Sequence, residues 1–182
     1  DEPFELHAMK PVLLGQYLVA QQAPDPNVSG PGPNDAETGD PSFILTVPVE
    51  QFRDEYVFLA PDKYMFDCVS IIARPDVPVY LDGEEIRPGD LTLRPAKEIR
   101  QELIEKGLEH PTELGIKYGD ASLIGQGNWM QYRLIISDGV HTAESTEPFG
   151  VISYGYDQYV SYGYPAGLNL EDLKLLETNP AE

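Results

Sequence analysis

Short runs of apolar and β-branched residues, separated by turn-forming residues, occupy most of the chain. Examples are EYVFLAP at 55–61, FDCVSIIA at 66–73 and YRLIISDGVHTAES at 132–145. Alternation with a period of two is typical of strands that bury one face. The run FDCVSIIA is apolar at both parities, which indicates a strand buried on both faces. The pattern predicts an all-β fold, an antiparallel β-sandwich module.

Two Asp-Gly pairs lie between apolar runs, at Asp82-Gly83 and Asp138-Gly139. A two-residue type I′ turn needs positive φ at both positions, which glycine adopts without steric cost and aspartate tolerates. Each pair therefore predicts a β-hairpin, and two hairpins favour antiparallel pairing.

One segment, RPAKEIRQELIEKGLEH at 94–110, has a different period. Its apolar residues, including Ile99 and Leu103, recur at helical spacing with charged residues between them. Pro95 suits the first helical turn, and Gly107 suits the end of a helix. We predict a helix over about 95–108, inside an insertion at about 94–128 that covers an open end of the core.

The chain divides into three predicted parts. Residues 1–20 are predicted to be the terminal strands of a preceding β module, since KPVLLGQY at 10–17 aligns weakly with EPFGVISY at 147–154. Residues 21–42, rich in Pro, Gly, Asn and Asp, are predicted to be a linker. Residues 43–176 are predicted to form the β-sandwich module with its helical insertion. The chain is thus expected to be a piece of something longer.

Charge narrows the set of partners. Twelve basic residues face 31 acidic ones, for a net charge of −19. This balance repels nucleic-acid phosphates and anionic membrane surfaces, and it attracts cations. No apolar run approaches the length that spans a bilayer. The single cysteine, Cys68, lies within an apolar run, where a buried and unreactive thiol is expected.

Catalytic motifs are missing from the sequence. The three histidines, His7, His110 and His141, have no partner at metal-ligand spacing, and no nucleophile elbow or phosphate loop is present. The adjacent acids Glu84 and Glu85 would point to opposite faces of a strand. A carbohydrate-active hydrolase is therefore the least favoured alternative, and we predict no enzymatic activity.

One loop has the oxygen spacing of a cation site. In the segment DPNVSG, Asp25, Asn27 and Ser29 stand at alternate positions, as in the first half of an EF-hand loop, and Glu37 supplies a later acid. Calcium is therefore a possible cofactor, bound by these four residues. The alternative is a solvated Pro/Gly linker.

The segment PFGVISYGYDQYVSYGYP at 148–165 concentrates five tyrosines. In one continuous strand, alternate residues would share a face; a turn at Asp157-Gln158 would divide them differently. Tyrosine suits half-buried positions as well as recognition surfaces. The segment is either core and inter-module packing or an aromatic binding face, and in the second case the binding residues are Tyr154, Tyr156, Tyr159, Tyr162 and Tyr164.

Several of these segments together resemble the amino-terminal region of the IgGFc-binding protein family. The specific ones are VPVEQFRDEYVFLAP at 47–61 and YGYDQYVSYGYPAGLNL at 154–170. The resemblance implies a non-enzymatic recognition domain of β-sandwich modules, secreted or on the cell surface. It extends to bacterial surface and secreted proteins, and it does not imply that this chain binds immunoglobulin. The insertion at 94–128 is longer than the connection usual in the family.

Fold, charge and resemblance together predict an extracellular recognition or adhesion module. Its expected partner is a glycan or glycoprotein, with no nucleic acid and no membrane insertion. The alternative is a structural spacer or assembly module of a long surface protein, in contact with neighbouring modules of the same chain.

Overall fold

The computed structural model describes residues 3–10, 12–18, 39–157 and 159–170. Within these residues the chain forms short 3-10 turns at Val49–Gln51, Pro88–Asp90 and Pro111–Leu114, one α-helix and ten strands. The helix is α1 (Ala96–Lys106), and the strands are β1 (Gly15–Tyr17), β2 (Phe43–Leu45), β3 (Arg53–Ala60), β4 (Phe66–Ala73), β5 (Val79–Leu81), β6 (Glu84–Glu85), β7 (Gly119–Ile124), β8 (Trp129–Ile136), β9 (Gly139–Asp157) and β10 (Val160–Pro165).

The strands form two layers that share the 19-residue strand β9. Its first half pairs with β3 and β5, and β6 extends that layer. Its second half pairs with β4 and β10, and β8 and β7 complete the other layer. Every one of these pairings is antiparallel, which confirms the predicted all-β sandwich.

Strand β9 changes layers where its ladder is interrupted. Pro148 lies at the crossing and cannot donate to a strand ladder. The partner strand β3 has a register irregularity between Arg53 and Glu55 at the same level. Phe149 is wholly buried there, and the Tyr56 ring packs edge-on against it at 5.1 Å. The Tyr56 hydroxyl also donates to the Phe149 carbonyl at 2.5 Å, which holds the bend.

The main core fills the space between the layers. Val69 and Ile71 of β4 are wholly buried in it, opposite Phe58 of β3 and Val79 of β5. Full burial of each such side chain contributes about 1.5–3 kcal/mol relative to an exposed one. Strand β4 is covered on both faces, as its sequence predicts: Val69 and Ile71 face the main core, and Phe66 and Cys68 face a second cluster on the opposite side.

Helix α1 packs on the outer face of the β4 layer. Ile99 and Leu103 form a second cluster there with Phe66 and Tyr118. The helix ends at Gly107, whose φ of 67° is the left-handed conformation of a helix C-cap. The predicted helix is confirmed, but it covers a face of a sheet and not an open end of the core.

The two Asp-Gly turns have different outcomes. Asp82 and Gly83 have φ of 53° and 79° and join the paired strands β5 and β6, so the first hairpin is confirmed. The second prediction is wrong. Gly139 has a φ of 116°, but the φ of Asp138 is not positive as a type I′ turn requires. The strands on either side, β8 and β9, do not pair. After Ile136 the chain crosses from one layer to the other, where Gly139 pairs with Ala60.

Strands β1 and β2 form a separate two-stranded ribbon that lies against β10. Ile44 and Leu18 are buried under it. The side chain of Ile44 approaches Gly163 so closely that a Cβ built on that glycine would lie 2.3 Å from Ile44 Cδ1. Ser42 adds hydrogen bonds to the Ser161 hydroxyl and carbonyl. Residues 19–38, most of the predicted linker, lie outside the described part of the chain.

Candidate functional site

The tyrosine-rich segment forms a hairpin. Asp157 pairs with Val160, so the chain reverses between them, one residue later than the turn considered from the sequence. Tyr159 lies in this turn with a φ of 58°, and its side chain is 57% exposed. The continuous-strand interpretation is therefore wrong, and the faces follow the pairing of β9 with β10.

The hairpin places the other four tyrosines on two different faces. Residues directly opposite each other in an antiparallel pair share a face. Tyr162 and Tyr164 stand opposite Gly155 and Ser153, on the side of the main core. A Cβ at Gly155 would lie 2.3 Å from the Tyr162 ring, so this glycine makes room for the ring. All four tyrosines are half-buried, the remaining two being Tyr154 and Tyr156 on the outer face.

The hydroxyls of the two inner tyrosines have protein partners. Tyr162 donates to the Asp67 carboxylate. Tyr164 donates to the Leu59 carbonyl and accepts from the Leu59 N–H at 3.0 Å, which covers the outer edge of β3. Each of these bonds ties β10 to a distant strand, so these two side chains stabilise the fold.

The two outer tyrosines pack against each other and against the helix cluster. Their rings meet edge-on at 5.8 Å, and Tyr156 joins the cluster below α1. Burial raises the pKa of Tyr156 to about 12 and that of Tyr154 well above its usual range. Burial likewise raises the pKa of the neighbouring Cys68 thiol to about 12, in agreement with the unreactive thiol expected from the sequence.

The ribbon carries an exposed apolar face that the sequence analysis missed. Tyr17 and Phe43 pair across it, with ring centroids 5.1 Å apart, and they are 69% and 52% exposed. Leu45 and Leu13 are exposed as well, at matching parity. We call these four side chains the ribbon face. The sequences GQY and FIL of β1 and β2 are typical of short strands. Each has only three residues, which is too few to predict which face of the ribbon would be buried and which exposed.

A cluster of two acids and a histidine, of which one acid is wholly buried, joins strand β4 to two connecting segments. Asp67 is the second residue of β4 and is wholly buried, His110 precedes the 3-10 turn Pro111–Leu114, and Asp138 follows β8. One ligand atom from each residue lies within 4.8 Å of the other two. Burial and the nearby Asp138 raise the pKa of Asp67 to about 7, although the Tyr162 hydrogen bond opposes the shift. Burial lowers the pKa of His110.

The third histidine holds a turn in place. His141 Nδ1 lies 2.6 Å from Asp82 Oδ2, and Nε2 lies 2.7 Å from the Ser137 carbonyl. Each ring nitrogen therefore lies within hydrogen-bond distance of an oxygen atom. The imidazole also stacks on Phe58 at 5.5 Å. Its contacts connect the β5–β6 hairpin with the segment between β8 and β9.

The predicted calcium ligands, Asp25, Asn27, Ser29 and Glu37, lie outside the described residues. Within the described ranges, the His/Cys/Asp/Glu group with converging ligand atoms is the trio at Asp67, and it comes from three segments far apart in sequence. No local pattern in the sequence places His110 beside Asp67 and Asp138.

Comparison with protein families tests whether the chain belongs to the family that its sequence resembles. The family described as IgGFc binding protein matches residues 1–155. The chain belongs to the IgGFc-binding protein family. The match includes the ribbon, the insertion with α1, and β9 as far as Gly155. No curated protein and no solved structure matches the chain.

Membership of the IgGFc-binding family fixes the general class of function. It is a non-enzymatic binding family, typically secreted or extracellular, so the chain is an extracellular binding module. In the part of the chain that the structure describes, no helix is long and apolar enough to cross a membrane.

Proposed function

We propose that this chain is a non-catalytic recognition and adhesion module that binds a glycoprotein through the ribbon face. The observation that supports the proposal is the exposed pair Tyr17 and Phe43, flanked by Leu13 and Leu45. Exposed aromatic and aliphatic side chains grouped on one surface are typical of interaction sites. Tyrosine is enriched at protein hot spots, and a pair of rings adds apolar area at low entropic cost.

The ribbon face suits recognition because the ribbon is anchored from behind. Ile44 and Leu18 fix its other side on β10, and the Ser42–Ser161 hydrogen bonds fix one end. A partner would therefore bind aromatic rings that are already positioned, which lowers the entropy lost on binding. Tyr159, exposed in the β9–β10 turn, would supply a further contact, whereas Tyr154, Tyr156, Tyr162 and Tyr164 would support the surface from within.

The net charge restricts the type of target. At −19 the chain repels polyanions, so a neutral or basic protein surface carrying neutral glycans fits better than a heavily sulfated or sialylated one. The Fc region of immunoglobulin G, from which the family takes its name, is one candidate glycoprotein.

A second apolar surface favours an assembly role as the alternative. Val57, Leu59 and Val140 are exposed together on the outer face of the β3 layer. In a long surface protein this face would pack against a neighbouring module of the same chain. The two roles use different surfaces and can be separated by mutation.

The test is a glycan and glycoprotein array, with immunoglobulin Fc included, probed with the chain in calcium and again in chelator. We compare the wild type with Tyr17→Thr/Phe43→Thr and with Val57→Thr/Leu59→Thr. Threonine keeps strand propensity in both pairs, so each double variant removes apolar side chains from one surface and leaves the other surface intact.

We expect binding to a glycoprotein that the ribbon variant loses and the β3 variant keeps, with both variants melting as the wild type does. Binding lost in chelator would in addition support a calcium site at Asp25, Asn27, Ser29 and Glu37. If the wild type binds nothing on the array, the recognition proposal is contradicted. Association of the wild type that only the β3 variant abolishes, measured by sedimentation, would favour the assembly role.

A further inference from the structure

We propose that Asp67, His110 and Asp138 form a binding site for a divalent transition-metal ion such as Zn²⁺. The site is independent of the ribbon face and of the predicted calcium loop. Its three ligand atoms would be one carboxylate oxygen from each aspartate and Nε2 of the histidine.

Two buried polar atoms without a partner point into the same space. Asp67 is wholly buried, and its Oδ1 accepts a hydrogen bond from Tyr162 while Oδ2 has no partner. Nε2 of His110 is also buried without a partner. An unsatisfied buried polar atom destabilises the fold, and more strongly when it is charged. One ligand atom of Asp67 and one of His110 lie within 4.8 Å of each other, which indicates that a bound species belongs between the two side chains.

The other atoms of the histidine ring orient Nε2 as a ligand. Thr112 Oγ1 lies 2.8 Å from His110 Nδ1. The Thr112 backbone N–H also donates to Nδ1, at 3.2 Å, so in the metal-free chain the proton of a neutral ring lies on Nε2. A metal bound at Nε2 would displace that proton, and an Nδ1–H would then donate to the Thr112 hydroxyl. Metal-binding histidines usually donate their second N–H in this way, which fixes the tautomer and the ring orientation. The backbone N–H of His110 donates a hydrogen bond to Glu113 Oε1 at 2.7 Å, which fixes the position of His110.

The third ligand is positioned to close the site. Asp138 Oδ1 lies 4.0 Å from His110 Nε2, and its side chain is half exposed in the segment between two strands. Ligands of a tetrahedral zinc ion lie about 2.0–2.2 Å from the metal, so neighbouring ligand atoms stand roughly 3.4 Å apart. A shift of about 0.6 Å would bring Asp138 Oδ1 to that spacing from His110 Nε2, and every other separation in the trio is within 4.8 Å. Its exposure leaves a path for the ion from solvent.

Ligand chemistry selects the class of ion. One imidazole nitrogen and two carboxylate oxygens suit zinc and neighbouring divalent transition metals, which accept mixed nitrogen and oxygen sets. Calcium takes six to eight oxygen ligands, and this site supplies a nitrogen and too few oxygens. The competing occupant is a proton shared by Asp67 and Asp138, which would also relieve the repulsion between two close carboxylates.

A bound ion would join three segments that are distant in sequence. Asp67 lies on β4, His110 belongs to the insertion that carries α1, and Asp138 lies where the chain passes between the layers. The metal would fix the insertion to strand β4 and to the segment that follows β8. It would therefore stabilise the fold by binding only the folded state.

The test uses metal-free chain titrated with Co²⁺, a spectroscopic substitute for Zn²⁺, followed by displacement with Zn²⁺ and a thermal melt. The variants are His110→Asn and Asp138→Asn. Asparagine at 110 can still accept the Thr112 N–H that caps the 3-10 turn, so this variant is expected to fold. The matched control is His7→Asn, which removes an exposed histidine on a different segment.

We expect one equivalent of Co²⁺ to give visible d–d absorption that Zn²⁺ abolishes, and Zn²⁺ to raise the melting temperature. His110→Asn and Asp138→Asn should each weaken binding by at least about tenfold, while His7→Asn binds as the wild type. Absence of saturable binding, or equal binding in all three variants, would overturn the proposal. A wild type that binds no metal but is stabilised by Asp138→Asn would instead identify the shared proton as the occupant.

Discussion

At the scale of single residues, two glycines decide how the tyrosine-rich hairpin packs. Gly155 makes room for the Tyr162 ring on the inner face, and Gly163 makes room for Ile44 of the ribbon on the outer face. In the sequence these glycines stand among tyrosines, which shows that small and large side chains are neighbours there. The sequence did not show which side chains pack against the glycines. The partner of Gly155 is Tyr162 on the paired strand β10, and the partner of Gly163 is Ile44, 119 residues earlier in the chain.

Replacement of Gly163 tests this close approach. Gly163→Ala would place a methyl group 2.3 Å from Ile44 Cδ1 and 2.8 Å from Cγ1, and Ile44 is itself buried. We expect a loss of about 1–3 kcal/mol in the free energy of unfolding, measured by urea denaturation. Ile44→Val in the same chain removes Cδ1 and should restore part of the loss.

Gly89→Ala is the matched control for this substitution. No atom lies within 4 Å of the added methyl group, and Gly89 is not among the glycines of positive φ. Its stability should stay within about 0.5 kcal/mol of the wild type. Equal effects at the two glycines would contradict the packing of the ribbon on β10.

At the scale of elements, the sequence predicts those whose signal is local. The helix, the doubly buried strand β4 and the Asp82-Gly83 hairpin each depend on residues close in the chain, and each is confirmed. The Asp138-Gly139 hairpin fails because the same dipeptide also occurs where a chain crosses between layers. Gly139 pairs with Ala60 of β3, which is distant in the sequence, and no local pattern predicts that pairing.

Helix α1 offers a test of its packing with an internal control. Leu103 is buried in the cluster with Phe66 and Tyr118, whereas Ile104, the next residue, is 65% exposed. Leu103→Ala should lower the free energy of unfolding by about 2–5 kcal/mol through lost burial and an unfilled cavity. Ile104→Ala should change it by less than about 0.5 kcal/mol. Thermal or urea unfolding of the two variants measures the difference. The reverse order would place the other side of the helix against the sheet.

The candidate sites were harder to predict than the fold because each combines residues that are distant in the sequence. The five tyrosines were visible as a group, but pairing in the hairpin places four of them in half-buried positions and leaves Tyr159 largely exposed. The ribbon face needs a strand before the linker and a strand after it. The Asp67 trio needs three segments, and only the folded chain brings them together.

At the scale of the whole molecule, the buried tyrosines make stability depend on alkaline pH. In the unfolded chain Tyr154 and Tyr156 lose their protons near pH 10, but in the folded chain burial raises the pKa of Tyr156 to about 12 and that of Tyr154 well above 10. Above pH 10 the folded state therefore binds more protons than the unfolded state. The stabilisation is fully present below pH 10 and is lost as pH rises toward 12.

Denaturant unfolding at a series of pH values through this window measures the effect. The free energy of unfolding should fall with rising pH, and Tyr156→Phe should make the fall less steep because one of the groups responsible is removed. A wild type whose stability stays constant between pH 10 and 12 would show that these side chains ionise equally in both states.

The whole molecule combines a rigid sandwich with an apolar ribbon anchored on its edge. We propose that the ribbon face, and not the tyrosine-rich hairpin as a whole, contacts the partner. Hydrogen exchange distinguishes the two because the ribbon segments 12–18 and 39–45 and the hairpin segment 148–165 give separate peptides.

The most direct measurement is therefore the hydrogen-exchange footprint of the chain, alone and with the glycoprotein that gives the strongest array signal. We predict slower exchange in residues 12–18 and 39–45 on binding, and no such protection when Tyr17 and Phe43 are both replaced by threonine. Protection confined to other segments, with the ribbon exchanging at its free rate, would contradict the account.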